Sequence, residues 1–213
     1  MKIVKLLLVS LMLIGCVNSD FDIEKAINEK IEIINQTKAY ENHNHQKGLF
    51  SYYLPKDVGV KRSNKISTVL LVDHYEVFMA LNVSEIMNDK LEVFSLNPAN
   101  FVLVKDFTTL NNQNKSVFNT LVIEELTDSQ YLVYLKANEM FLVASTPKAG
   151  IVNILEKMLI VTRTVEIDKK KVVAQFSNKE EINYQKEVIE LFSESVPVEG
   201  FLKDIYESDK EDD

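Results

Sequence analysis

The sequence is poor in the residues that build covalent and metal-bound frameworks. Its 213 residues include one cysteine, Cys16, no tryptophan, five glycines and four prolines. A single thiol cannot close an intramolecular disulfide or supply a zinc site made of several cysteines. The sequence also lacks the G-x-S-x-G, H-E-x-x-H and glycine-rich phosphate-binding motifs. It therefore carries no common signature of a hydrolase or a nucleotide-binding protein.

Positive charge is scarce as well. The chain has 32 acidic and 24 basic side chains, for a net charge of −8, and only Arg62 and Arg163 are arginines. This balance argues against nucleic acid as a direct partner, because phosphate backbones are bound through clustered positive charge. The preference for lysine over arginine, with abundant asparagine and isoleucine, is typical of an AT-rich genome and favours a Gram-positive bacterium.

The N-terminus carries a short hydrophobic run behind two positive charges. Lys2 and Lys5 precede the nine residues Leu6–Ile14, which only Ser10 interrupts. Nine residues are too few to cross about 30 Å of hydrocarbon as a helix, which takes ~20 residues. The pattern is typical of an export signal.

This run ends at Leu13-Ile14-Gly15-Cys16, which resembles the bacterial lipobox L-x-G-C. The resemblance implies cleavage between Gly15 and Cys16 and a lipid on the Cys16 thiol, which is a good nucleophile near neutral pH. Residues 1–15 are then a signal peptide and residues 16–19 a lipidated tether. The mature chain loses two lysines, so its net charge becomes −10. It would be anchored on the outer face of the cell membrane. The alternative is a chance cysteine after an ordinary secretory signal.

Hydrophobic periodicity predicts an α+β domain. A helix is expected over about residues 20–40, capped by Ser19 or Asp20, with an isoleucine stripe at Ile23, Ile27, Ile31 and Ile34. Alternating segments predict an antiparallel sheet of about six to eight strands in the middle of the chain. Helical spacing returns over Pro147–Thr162, behind a Thr146 cap. We expect this late helix to pack on the sheet.

The C-terminal part of the sequence predicts further secondary structure within the same domain. Residues 163–177 are expected to form a short hairpin. Asn178 and Glu181 form a capping pair that would open an extra helix at about 178–195. Residues 207–213 are too polar to order themselves and are predicted to be disordered. Residues 20–206 are therefore expected to form a single domain.

Two segments carry a resemblance to a known fold. The segment "FSYYLPKDVGV" resembles the opening strand of the PsbP-like fold, and "MFLVASTPKAGIVNILEKMLIVTRTVEI" resembles its closing strand and helix. That fold is shared by an extrinsic photosystem subunit, a Ran-binding import factor and many bacterial lipoproteins. The resemblance covers about residues 49–176. It implies a binding or accessory protein rather than an enzyme, and no functional residue of the family transfers to this chain.

Three polar segments could carry chemistry. His43 and His45, with Glu41 near by, could offer zinc two imidazoles and a carboxylate. His74 lies beside Asp73 at an expected hairpin tip and could act as a paired base. The run Lys169–Lys171 could contact a membrane or a wall polymer. For each segment the alternative is a solvated turn, so these histidines are weak metal candidates, and no catalytic residue and no cofactor is assigned.

Three functions follow as hypotheses. The first is a non-enzymatic lipoprotein that contacts the membrane through Cys16 and binds another envelope protein or supports an envelope assembly. The second is a carrier that holds a small apolar or peptide ligand between the sheet and the late helix. The third is a metal-dependent enzyme that uses His43 and His45.

Overall fold

The computed structural model of the chain describes residues 21–87, 98–126 and 129–177. These residues form an α+β fold, as the sequence predicts. Its helices are α1 (Ile23–Gln36), α2 (Val83–Ile86), α3 (Ile151–Thr162) and α4 (Lys169–Phe176). Two 3₁₀ turns, Pro98–Asn100 and Lys148–Gly150, precede a strand and a helix respectively.

Seven strands form one antiparallel sheet in the order β3-β4-β5-β9-β8-β7-β6. They are β3 (Val58–Ser63), β4 (Ser67–Val72), β5 (Tyr75–Leu81), β6 (Phe101–Leu110), β7 (Ser116–Glu125), β8 (Gln130–Ala137) and β9 (Met140–Pro147). A second, small sheet has the order β1-β2-β10, from β1 (His45–Gln46), β2 (Phe50–Tyr52) and β10 (Glu166–Ile167). The predicted antiparallel sheet is confirmed.

One face of the large sheet packs against helices. Val133, Leu135 and Ala137 of β8 are buried, whereas the residues between them are only partly buried, because successive side chains of a strand point to opposite faces. Helix α3 contacts β8 and β9, and α1 lies beside α3 and reaches β6. The expected packing of the late helix on the sheet is confirmed.

Helix α1 is shorter than predicted but buries the predicted stripe. It spans Ile23–Gln36 rather than residues 20–40, and its cap is Asp22, whose Oδ1 accepts a 3.0 Å hydrogen bond from the Lys25 amide. Ser19 and Asp20 lie outside the described residues, and the predicted cap was placed too early. The four isoleucines of the stripe are all buried, since their spacing puts them on one face of the helix.

The start of α3 also differs from the prediction. Thr146 is not a helix cap but a fully buried residue of β9, and Pro147 ends that strand. The turn Lys148–Gly150 intervenes, so the α-helix begins at Ile151. Gly150 suits this tight entry, because a Cβ atom there would collide with the Thr146 hydroxyl.

The hairpin predicted over residues 163–177 is wrong. Only Glu166–Ile167 is extended, and it pairs with β2. The segment that follows is helix α4, whose cap is Asp168, with Oδ1 accepting from the Lys171 amide at 3.1 Å. The two valines of this segment suggested a strand, but only Val172 is buried, as the apolar face of a short helix requires.

The two ends of the large sheet carry different segments. At one end, β6 and β8 begin, β9 ends, and the β4–β5 hairpin turns at Asp73. Phe21 and Lys148 lie there, beside Val102, and we call this the Phe21 end. At the other end, which we call the Asn112 end, β6 and β7 are joined by the loop that contains Asn112.

Candidate functional site

His43 lies in a polar cluster that the small sheet assembles. Strand pairing places Ser51 of β2 opposite Glu166 of β10. The Ser51 Oγ is 3.0 Å from His43 Nδ1, and a Glu166 carboxylate oxygen is 3.9 Å from the same nitrogen. On the other side of the ring, Asn112 Nδ2 lies 3.4 Å from His43 Nε2. His43 therefore joins the small sheet to the β6–β7 loop.

The geometry of this cluster differs from that of a Ser-His-acid triad. In a triad the serine and the acid contact different nitrogens of the imidazole, so that the ring can take the serine proton. Here Ser51 and Glu166 both lie on the Nδ1 side, and the Asn112 amide donates toward Nε2. The neutral tautomer that fits these partners carries its proton on Nδ1 and donates to Ser51. The arrangement cross-links the small sheet and the β6–β7 loop.

Glu166 strengthens this cross-link from the strand side. Its Oε1 accepts hydrogen bonds from Asn112 Nδ2 at 3.3 Å and from Gln113 Nε2 at 3.2 Å. Sequence reasoning singled out His43 but missed Ser51, Asn112 and Glu166. Ser51 and Glu166 lie far apart along the chain and meet through the pairing of β2 with β10, while the Asn112 amide N–H is held by the Arg163 carbonyl.

The two predicted metal ligands do not converge. His45 pairs with Tyr52 in the small sheet, and their rings lie 5.5 Å apart, while its Nδ1 is 3.3 Å from Asn44 Oδ1. Glu41 instead pairs with Lys38, whose ammonium holds the pKa of that carboxyl below its usual value. In the three described ranges, no group of three or more histidine, cysteine, aspartate or glutamate side chains could hold a metal ion.

The other two polar segments make structural contacts. Asp73 does turn the predicted β4–β5 hairpin, with a left-handed φ of 54°. Its Oδ2 accepts a 2.8 Å hydrogen bond from Asn153 of α3, and His74 packs on Tyr75 with ring centroids 4.1 Å apart. The hairpin is thereby fastened to the late helix.

The lysine run opens α4 instead of forming a turn. Lys169 forms an ion pair with Glu139 at 2.5 Å, and Lys171 pairs with Asp168 at 3.0 Å. Salt bridges between solvent-exposed side chains contribute little to stability, typically ~0–1 kcal/mol. Two of the three lysines are thus engaged within the protein.

The interface between the sheet and α3 is filled by side chains. Leu155 and Leu159 of the helix, and Leu135 and Leu142 of the strands, are completely buried. Residues that line a cavity large enough for water would retain some accessible surface. A ligand between these layers would therefore require α3 to move away from the sheet.

Apolar side chains are exposed on the opposite face of the β6–β7 hairpin. Phe118 is 65% exposed and Val104 is 56% exposed, and Leu110 is also exposed. Thr108 pairs with Phe118 and Val104 with Val122, so strand alternation places these side chains on one face. We call Val104, Leu110 and Phe118 the β6–β7 surface. Leu103 and Phe107, on the other face of β6, pack against the core.

The sequence contains a signal for this surface. The run Phe101–Val104 is apolar at four consecutive positions, so both faces of the strand must carry apolar side chains. Only one of these faces meets α1. An apolar residue left on the second face of a strand is a sign of an exposed patch.

Several predicted features lie outside the described residues. They are Gly15 and Cys16 with the signal peptide and tether, the C-terminal helix at about 178–195 and the acidic tail at 207–213. Among the described residues, no helix is long and apolar enough to cross a membrane. The lipid anchor therefore remains a prediction from the sequence.

Comparisons with known proteins add no relative. No protein-family model, no curated protein and no solved structure matches the chain. The resemblance to the PsbP-like fold consequently stays a prediction, while the α+β architecture itself is observed in the structure.

Proposed function

We propose that this protein is a non-enzymatic lipoprotein, anchored to the membrane through Cys16, that binds another envelope protein. The observation that carries this proposal is the β6–β7 surface, where Phe118 and Val104 are more than half exposed. Large aromatic side chains are enriched at protein interfaces, where they supply contact area with few rotatable bonds. Full burial of a phenylalanine side chain contributes ~1.5–3 kcal/mol.

The placement of this surface suits a partner in the envelope. Phe118 lies near the Asn112 end, opposite Thr108, while the anchor would be joined to the Phe21 end. Thr108 lies six positions after Val102 in β6, which corresponds to ~20 Å along a strand. Phe118 would therefore stand well above the bilayer and face a neighbouring protein.

The geometry of the polar cluster favours a binding role over catalysis. Ser51 and Glu166 both lie beside Nδ1 of His43. An acyl-transfer enzyme needs its serine and its acid on different nitrogens of the ring. The carrier alternative is less favoured, because the side chains between the sheet and α3 leave no accessible surface. The metal-enzyme alternative would need ligands beyond His43 and His45, whose rings contact different partners.

Site-specific photo-crosslinking in living cells tests this proposal. A photoreactive phenylalanine analogue would replace Phe118 in one variant and Ile33 of α1, which is 53% exposed on another surface, in a matched control. We expect one discrete adduct with an envelope protein from position 118 and none from position 33. The absence of an adduct at 118, identical adducts from both positions, or an adduct only with a second copy would contradict the proposal.

A further inference from the structure

The Phe21 end carries a second group of exposed apolar side chains, next to the Val104 end of the β6–β7 surface. Phe21 and Val102 are each 44% exposed, and they line one shallow groove together with Lys148. Val102 lies at the start of β6 and continues the alternation of exposed residues along that strand. We call Phe21, Val102 and Lys148 the Phe21 patch.

The position of the patch in the chain indicates its occupant. Phe21 is five residues after Cys16, and five extended residues span at most ~17 Å. If Cys16 carries the lipid, Phe21 cannot leave the neighbourhood of the bilayer surface. Because the groove joins Phe21 to Val102, the same short reach applies to the start of β6.

We infer that the Phe21 patch rests on the lipid bilayer, with the Phe21 and Val102 side chains in the interfacial region. This inference rests on the anchor at Cys16 proposed above. Aromatic side chains favour the boundary between headgroups and acyl chains, and the long side chain of Lys148 can keep its ammonium at the headgroups. The lipid provides attachment, while the patch sets the orientation of the domain on the membrane.

The charged side chains around the groove do not attract it to the membrane, so the contact depends on its apolar side chains. Asp22 and Glu24 border the groove along with Lys148, and Lys25, Glu29 and Glu32 lie next to them on α1. Acidic side chains therefore outnumber basic ones at this end, and anionic lipid gives no net attraction. Neutral phosphatidylcholine should be sufficient as the membrane surface.

The orientation has a consequence for the β6–β7 surface. Helix α1 follows β6 from the Phe21 end, and its Asn35 side chain donates a 3.1 Å hydrogen bond to the Thr108 carbonyl. With the Phe21 patch on the bilayer, β6 would rise away from the membrane. Phe118 would then be held clear of lipid and accessible to a protein partner.

The absence of tryptophan and the single cysteine allow a clean test. The chain from Cys16 onward keeps every described residue, and its only thiol can be coupled to a maleimide-bearing lipid in phosphatidylcholine vesicles. One variant carries Val102→Trp and a matched variant carries Phe118→Trp. Phosphatidylcholine with brominated acyl chains quenches only a tryptophan that reaches the bilayer. We expect at least twofold stronger quenching at position 102 than at position 118.

A further variant tests whether the Phe21 side chain is needed for the contact with the bilayer. Phe21→Ser in the Val102→Trp background should reduce quenching to the level seen at position 118, whereas Ile33→Ser, on an exposed face of α1, should not change it. Equal quenching at 102 and 118, stronger quenching at 118, or no effect of Phe21→Ser would overturn the inference. Because the lipid is attached chemically, this outcome does not depend on whether cells lipidate Cys16.

Discussion

The Arg163 guanidinium donates a 2.7 Å hydrogen bond from Nη1 to the carbonyl oxygen of Ile34, near the C-terminal end of α1. The same side chain donates to Thr37 O at 2.8 Å and to Leu110 O at 2.5 Å. Arg163 is 4% exposed, and burial lowers the pKa of its guanidinium. One arginine thus fastens α1 and the end of β6 to α3, and the negative end of the α1 dipole favours its charge.

Replacement of Arg163 should destabilise the protein strongly. Arg163→Met removes one hydrogen bond from each of three carbonyl groups, and Arg163→Lys cannot reproduce a fork of planar donors. We expect a loss of ~3–5 kcal/mol in the free energy of unfolding for methionine and a smaller loss for lysine, measured by urea denaturation. A midpoint unchanged in both variants would show that the three hydrogen bonds are not needed.

Leu155 of α3 tests the packing of the late helix on the sheet. Its side chain is fully buried, so Leu155→Ala should cost ~2–5 kcal/mol through lost transfer energy and the cavity that remains. Ile33→Ala on α1 serves as the control, because that side chain is largely exposed and alanine is a good helix former. If both variants show the same denaturant midpoint as the parent protein, α3 does not pack as described.

Tyr134 should make stability depend on alkaline pH. Burial, and then the charge of Glu85, raises the pKa of Tyr134 to about 12. Since the folded protein holds this proton more tightly than the unfolded chain, the stabilisation is complete below pH ~10 and is lost as the pH rises toward 12. At ~1.4 kcal/mol per pKa unit, the change is about 2–3 kcal/mol.

Urea denaturation at pH 9 to 12 measures this effect. Tyr134→Phe should flatten the loss of stability in that range. A Tyr134→Phe profile that falls as steeply as the parent would contradict the burial of the Tyr134 hydroxyl.

The two histidines should not confer metal-dependent stability. His43→Ala removes the contacts with Ser51 and Asn112 and should cost ~1 kcal/mol, whereas His45→Ala should cost less. A structural zinc site would instead supply much of the folding energy. Thermal melts of the parent protein with and without chelator should superimpose. The metal-enzyme alternative would be supported if chelator lowered the Tm of the parent protein but not that of a variant carrying both His43→Ala and His45→Ala.

Elements with strong periodicity were predictable, and their ends were not. The isoleucine stripe of α1 repeats once per turn and identifies the helix from local sequence alone. Its start was misplaced because Ser19, Asp20 and Asp22 are all competent caps. Similarly, Thr146 and Pro147 have the chemistry of a helix start, but pairing with β8 keeps them in the sheet.

Other features depend on tertiary contacts, which local patterns encode only in part. Helix α4 contains two adjacent valines with high strand propensity, but the Asp168 cap and the burial of Val172 favour a helix. The His43 cluster requires β2 and β10 to pair across most of the chain. A complete prediction of the β6–β7 surface would require knowledge of which face of β6 packs against the core.

Lipidation of Cys16 is the central claim, and metabolic labelling with a palmitate analogue tests it most directly. Cells would express the parent protein or Cys16→Ala, which removes the only thiol in the chain. We predict that the parent is labelled, sediments with membranes and has lost residues 1–15 by intact mass, while the variant is neither labelled nor cleaved at Gly15. An unlabelled parent, or a Cys16→Ala variant that still carries the label, would contradict the account.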